Sequence, residues 1–347
     1  MSEEVDGSRI DSNTNTVEEL QTNNPEITAL TDYLTKTKRE VAGWAIEKAI
    51  GNGANGVVLQ VRRNDKEKAV MKVALNTSSS SSLVWEAAVM NHIQNPKWDE
   101  DRTRHVVRML DYGTTANHIK EEVSYVVMEF LPGNPVNIIS KQNTTEEAID
   151  KVCEFGLHLL KGIYDLHCVG LLHRDLKPEN VGLYKEKLLV LFDMGMARLF
   201  TNEEGKRRDL RGYVGMRGTD EWASLGCELG KDQSRVDDLW GWFYCLVEWT
   251  NCKSNKPLAW ADYESEQDIR LLMKSHLFPA KLVLANCPSQ FYNIQLYLRS
   301  LTHDITPDYF YIASLLKMAK REVKRVRPHP VNPKTFAAQQ VILEKQF

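Results

Sequence analysis

The chain has 347 residues, 42% hydrophobic and 26% charged, with a formal net charge of −3 at pH 7. This is the composition of a globular protein with one large or two modest folded units. The slight acidity argues against nucleic-acid binding by the chain as a whole, and no apolar run approaches the roughly 20 residues that span a bilayer. Residues 1–24 are polar and acidic and do not read as a signal peptide, and Ser2 stands where N-myristoylation needs glycine. Cys153, Cys168, Cys227, Cys245, Cys252 and Cys287 show no metal-ligand pairing. They read as reduced thiols of a cytoplasmic or nuclear protein.

Residues 1–43, rich in Ser, Asn, Thr and Glu, predict a disordered extension in which 27–34 is the one stretch suited to a short helix. Structure proper is expected from Trp44. Residues 44–50 and 57–61 read as a hairpin around a glycine-rich turn, and 69–73 as a third strand. The Ser-rich stretch 76–82 reads as a connector, and 83–93 carries helical periodicity. Strands over 105–110 and 124–130 complete a small sheet. Beyond it the pattern turns helical. A Thr-Thr-Glu-Glu start gives 145–167 a capping signal, and 235–249 is strongly apolar after Asp237 and Asp238, as a buried central helix would be. Residues 309–326 form an amphipathic helix whose basic end, Lys320, Arg321, Lys324 and Arg325 with Arg327 beyond, reads as one cationic face.

The densest chemistry lies in His173-Arg174-Asp175-Leu176-Lys177-Pro178-Glu179-Asn180, which sets a carboxylate, a lysine and an amide in fixed register. Eighteen positions after Asp175 comes Asp193-Met194-Gly195. Upstream, Gly51, Gly53 and Gly56 form a G-x-G-x-x-G turn. Dinucleotide-binding folds use the same spelling but open a helix; here Val57-Val58-Leu59-Gln60-Val61 follows, which is a strand. Lys72 ends the apolar strand Ala69-Val70-Met71, and a lysine there is costly to leave unpaired. Glu86, on the next predicted helix among apolar neighbours, is its expected partner.

Together these motifs resemble a eukaryotic protein kinase, in order and in spacing. The resemblance implies an α+β bilobal fold: a kinase domain over 44–326, with an N-lobe of antiparallel sheet and one helix at 44–131, a mostly helical C-lobe at 132–326, and a tail at 327–347. It implies ATP and Mg²⁺ as cofactors and protein Ser/Thr hydroxyls as acceptors, since lysine follows Asp-Leu. By the same resemblance Asp175 is the catalytic base, Lys177 meets the transferred phosphoryl group, and Asn180 and Asp193 hold the metal. Lys72, aimed by Glu86, meets the α- and β-phosphates beneath Gly51, Gly53 and Gly56. Val58 and Val70 wall the adenine, Met128 is the gatekeeper, and the backbones of Glu129 and Leu131 bind the base. A monomeric kinase domain is expected. The competing class is a pseudokinase, a nucleotide-binding scaffold on the same fold.

Arg217-Gly218-Thr219-Asp220-Glu221-Trp222-Ala223-Ser224 and Gln233-Ser234-Arg235-Val236-Asp237-Asp238 resemble the casein kinase I superfamily. Phe200-Thr201-Asn202 and the run from Asp238 to Tyr244 are similar to its tau–tubulin kinase branch. The resemblance makes Asp238 the support of the catalytic loop backbone. It leaves Thr201, Tyr213 and Thr219 as acceptors for regulatory phosphorylation that the superfamily generally does not need. Three residues depart from the pattern. Met194 replaces phenylalanine, with the packing role expected to survive. Glu221, beside Asp220, replaces an anion-binding arginine and should repel acidic substrates. Gly182 lies where the adenine floor usually carries an apolar side chain, so Gly182→Leu is expected to tighten ATP.

Overall fold

The computed structural model describes residues 24–325, apart from 54, 65, 97, 99–102 and 264. The expected disorder of 1–23 and the tail at 327–347 lie outside the described residues.

The first lobe is a six-stranded sheet in the order β1-β2-β3-β4-β6-β5, every neighbouring pair antiparallel. The strands are β1 (Glu40–Val41), β2 (Trp44–Gly53), β3 (Gly56–Arg63), β4 (Glu67–Ala74), β5 (Met109–Ala116) and β6 (Glu122–Glu129). Alternation decides the faces: Val57, Leu59 and Val61 of β3 and Ala69, Met71 and Val73 of β4 are all buried in one core.

That core corrects the expected start of structure. Residues 24–43 are not a disordered extension. Helix α1 (Pro25–Asp32) and a π-helical turn (Tyr33–Lys38) put Ile27, Leu30 and Leu34 into the same cluster as Trp44 and Leu59. Asn24 caps α1 by accepting from Glu26 N–H at 3.0 Å. The short helix for which 27–34 is suited thus forms, and its apolar residues at helical spacing cover a sheet face that would otherwise meet water.

Helix α2 (Thr77–Ile93) also begins earlier than the Ser-rich connector suggests. The Asn76 side chain accepts from Ser79 N–H at 2.9 Å, so the serines become its first turns. The strand expected at 105–110 is displaced to β5. Residues 105–107 pair instead with the second lobe, through Val107 N–H to Leu191 O and Leu191 N–H to His105 O, both at 2.9 Å.

The second lobe contains α3 (Pro135–Ser140), α4 (Thr145–Cys168), α5 (Leu225–Glu228), α6 (Arg235–Thr250), α7 (Gln267–Lys274), α8 (Ala280–Val283), α9 (Ser289–Ser300) and α10 (Tyr309–Arg325). Two small antiparallel pairs lie on it, β7 (Leu171–Leu172) with β10 (Arg198–Leu199) and β8 (Val181–Tyr184) with β9 (Leu188–Leu191). Helix α6 is the expected central helix. Ser234 and Asp237 close a capping box at its start, and Trp242, Phe243, Leu246 and Trp249 are fully buried. The basic face of α10 is partly spent on α4: Lys320 meets Glu154 at 3.1 Å and Lys324 meets Asp150 at 3.3 Å. The architecture is the α+β bilobal fold expected, and no described helix is long and apolar enough to cross a membrane.

Candidate active site

Lys72 faces Val58 across the β3–β4 ladder, at the mouth between the lobes. Its Nζ lies 2.8 Å from Glu86 Oε1 and 2.9 Å from Asp193 Oδ1. Burial alone would lower the lysine pKa; the two carboxylates outweigh it and hold the group above its usual value. Asp193 is pushed the other way: burial would raise it, but Lys72 keeps it below the usual carboxylate range. Glu86, on the buried face of α2, is raised by burial. Above them the glycine-rich turn closes tightly. A Cβ at Gly56 would stand 2.1 Å from Val73 O, so only glycine lets β3 approach β4 there.

Asp238, at the start of α6, holds the loop that carries Asp175. Its carboxylate accepts from His173 N–H and Arg174 N–H, each at 2.8 Å. These bonds hold Arg174 in a left-handed backbone conformation, φ 70°, that a non-glycine residue adopts at a cost. Burial would raise the Asp238 carboxyl; His167, 2.9 Å from Oδ2, outweighs it and keeps the group ionised below its usual value. The loop in turn presents Asp175. Its Oδ1 accepts from both Thr219 N–H and Thr219 Oγ1, each at 2.8 Å. Lys177 Nζ donates to the same Thr219 Oγ1 at 2.8 Å and lies 3.4 Å from Asp175 Oδ2. Gly218 makes this approach feasible, with φ 92° and a hypothetical Cβ only 2.5 Å from Arg174 O. Arg174 donates its Nε to Met196 O at 2.7 Å.

Asn180 is 4% exposed and donates its amide nitrogen to Asp175 O at 2.8 Å and Asp175 Oδ2 at 3.1 Å. That orientation leaves the amide oxygen as a ligand atom. Among the described residues, no group of three or more His, Cys, Asp or Glu could hold a metal by itself. The Asn180 oxygen and the Asp193 carboxylate therefore fit a hard divalent cation that takes its remaining oxygens from phosphate and water.

The structure brings Gly53, Gly56, Val58, Lys72, Glu86 and Asp193 around one cleft of about 330 Å³. Gly51 lies opposite Val58 in the β2–β3 ladder. Val70 pairs with the buried gatekeeper candidate Met128 across β4 and β6. The Glu129 N–H already donates to Arg108 O at 3.0 Å, so a hinge contact from this residue would use its carbonyl. The geometry reverses the expectation for Gly182. A Cβ there would meet Leu131 Cβ at 2.8 Å and Leu131 Cδ1 at 3.0 Å, so Leu131 already fills that space and a leucine would clash. Met194 is fully buried in the core.

The residues around Glu221 also differ from expectation. Asp220 is not a free acid: it meets Arg270 at 2.9 Å. Arg270 and Lys274 both reach the buried Glu228, and Lys274 donates to Asp220 O at 2.6 Å and Ala223 O at 2.8 Å. Arg270 thus offsets one of the two acids from which repulsion was expected. Further along, Asp232 takes Arg198 Nη1 and Arg211 Nη2, each at 2.8 Å. Burial would raise this carboxyl, but Arg211 and Arg198 hold it down to about 2. Sequence reasoning missed the roles of Thr219, Asp232, Glu228, Arg270 and Lys274. Only Thr219 carried a signal, its place after Gly218 in the quoted motif.

Comparison with known proteins agrees with this geometry. The family model described as the protein kinase domain matches residues 44–279. A Dictyostelium discoideum protein named as a serine/threonine-protein kinase is 29% identical over 278 residues, covering 79% of this chain and 52% of the relative. One from Caenorhabditis elegans with the same designation is 27% identical over 286 residues, covering 79% of this chain and 77% of its own length. A casein kinase I homolog of Encephalitozoon cuniculi is 26% identical over 213 residues, covering 60% of this chain and 62% of the relative. The chain thus spans about half the length of the Dictyostelium relative.

Proposed function

This chain belongs to the protein kinase family, and we propose that it is an active serine/threonine kinase that transfers the γ-phosphoryl group of ATP to protein hydroxyls. The carrying observation is that Lys72 is bound to both Glu86 and Asp193, while the backbone of Phe192, the residue before Asp193, is hydrogen-bonded to His173 and Asn180 of the loop that carries Asp175 and Lys177. Within the family we place it in the casein kinase I superfamily, on the tau–tubulin kinase-like branch. The Gly218-Thr219 element and the run from Asp238 to Tyr244 support that placement.

The chain's own groups divide the work. Lys72 fixes the α- and β-phosphates, with Glu86 fixing Lys72. Asp175 accepts a hydrogen bond from the acceptor hydroxyl and takes its proton as the new P–O bond forms. Two bonds from Thr219 hold its Oδ1, so the carboxylate is oriented before substrate arrives. Lys177 neutralises charge on the phosphoryl oxygens during transfer. A bound Mg²⁺, held by Asn180 and Asp193, would supply charge neutralisation on the phosphates.

The test is transfer of labelled γ-phosphate from Mg·ATP to casein and to a basic protein, followed by phosphoamino-acid analysis. Label on serine or threonine is the expected result. Mg·ATP binding without any transfer would replace this reading by the pseudokinase one.

A further inference from the structure

We propose that a cleft on the second lobe, separate from the Lys72–Asp175 site, binds a phosphoserine or phosphothreonine side chain of a protein partner. The cleft lies between the segment that follows β10, the start of α6 and the turn at 303–305. Its charged lining is Arg198, Arg207, Arg208 and Arg235 with Asp209 and Asp232. Four arginines against two aspartates leave +2, which the dianion of a phosphate monoester neutralises.

The arginines are placed for this. Arg207 Nη1 donates to His303 O at 3.0 Å, and Arg235 Nη2 donates to Ile305 O at 3.2 Å. Two guanidiniums from distant parts of the chain are thus drawn to carbonyls two residues apart. Arg235 also lies over the Phe200 ring, 5.3 Å from its centroid, which fixes its plane. Arg208 Nε donates to Thr201 O at 2.9 Å. Each of these three spends a donor on a backbone carbonyl, which carries no countercharge; Arg198 is matched by Asp232, and Arg207 also faces Asp304, a carboxyl lowered chiefly by its bond from Thr302 and further by Arg207. The like charges feel one another: burial lowers the Arg235 pKa and the nearby Arg207 lowers it further. An anion between them relieves that repulsion, and the planar forks suit phosphate oxygens.

The surroundings favour a single phosphate on a polypeptide over a nucleic acid. Asp209 sits on the exposed wall, where a long polyanion would have to pass it, and the whole chain carries −3. Both sides of the cleft belong to elements that hold the segment following Asp193, so an occupant ties that segment to α6 without entering the nucleotide cleft.

The experiment uses the full chain, its nucleotide cleft saturated with a non-hydrolysable ATP analogue. The probe is a labelled phosphothreonine peptide with neutral flanks, followed by fluorescence anisotropy against its unphosphorylated twin. The proposal expects the phosphopeptide alone to bind, inorganic phosphate to compete, and the Arg207→Ala/Arg235→Ala variant to bind at least tenfold more weakly at an unchanged melting temperature. Arg208→Ala, a change at an exposed side chain, gives the same reading if the double variant does not fold. Equal binding of both peptides, undiminished binding by the variants, no binding, or displacement of the phosphopeptide by an oligonucleotide at far lower concentration than by phosphate would each overturn it. The readout is binding, so failure of the kinase reading leaves this test intact.

Discussion

Two charge clusters, one around Lys72 and one around Lys274, are built differently. In the first, Lys72 is shared between Glu86 and Asp193, and the Asp193 side chain is 40% exposed to the cleft. In the second, Lys274 and Glu228 are essentially sealed from solvent, with the Trp260 and Tyr244 rings 5.0 and 5.5 Å from the ammonium. Lys274 has three donors, and Glu228, Asp220 O and Ala223 O take all of them. The first cluster keeps a cation beside an open face, so phosphate can exchange for a carboxylate without leaving a buried charge unpaired. The second leaves nothing for a ligand and instead pins both ends of the Asp220–Trp222 turn. Ion pairs of like composition thus serve binding in one place and positioning in the other, and accessibility separates them.

The sharpest way to break that contrast is Lys274→Met. Removing Lys274 leaves the buried Glu228 with Arg270 alone and takes the Lys274 donor from Asp220 O and Ala223 O, so the account expects a loss of about 3 kcal/mol in urea unfolding. A loss below about 1 kcal/mol would mean the second cluster is not the sealed device described. Lys72→Met should act mainly on the chemistry. It too leaves a buried carboxylate, Glu86, without its cation, so some stability is lost, but the larger effect is on transfer, which falls by about 10²–10³-fold, the scale of losing a preorganised charge at a developing anion. A variant that transfers at the wild-type rate would remove Lys72 from the chemistry.

Thr219→Val sharpens the comparison at the base itself. It deletes the hydroxyl that bridges Lys177 and Asp175 but leaves the Thr219 N–H on Asp175. A roughly tenfold drop in kcat with unchanged KM for ATP is expected, the worth of about one hydrogen bond to a charged group. Gly182→Leu should have the smallest effect, weakening ATP binding severalfold by displacing Leu131. Tighter binding would show that Leu131 moves aside freely.

The legibility of the molecule followed the same divide. The Lys72–Glu86 pair and the Asp175–Asn180 loop could be read from sequence because their chemistry needs fixed residue types in a short register or on adjacent elements. Thr219, Asp232, Glu228, Arg270 and Lys274 could not. Their partners lie tens of residues away, and an isolated acid or lysine in a polar stretch looks like a solvated surface residue. The short helix at 27–34 was legible, but its packing was not: the polar neighbourhood of Ile27, Leu30 and Leu34 gave no sign that they join the core of the sheet. The expected strand at 105–110 failed because its backbone groups had partners in the other lobe. Gly182 illustrates a further limit: the absence of a side chain was visible, but not that Leu131 occupies the space.

The most direct measurement is the initial rate of phosphoryl transfer to a serine- and threonine-containing protein by wild type and Asp175→Asn, at saturating Mg·ATP with nucleotide affinity measured in parallel. The account predicts a loss of at least about 10³-fold in rate with ATP affinity preserved, because Asp175 acts on the hydroxyl and not on the nucleotide. Equal rates for the two proteins, or no transfer by either while both bind ATP, would contradict it.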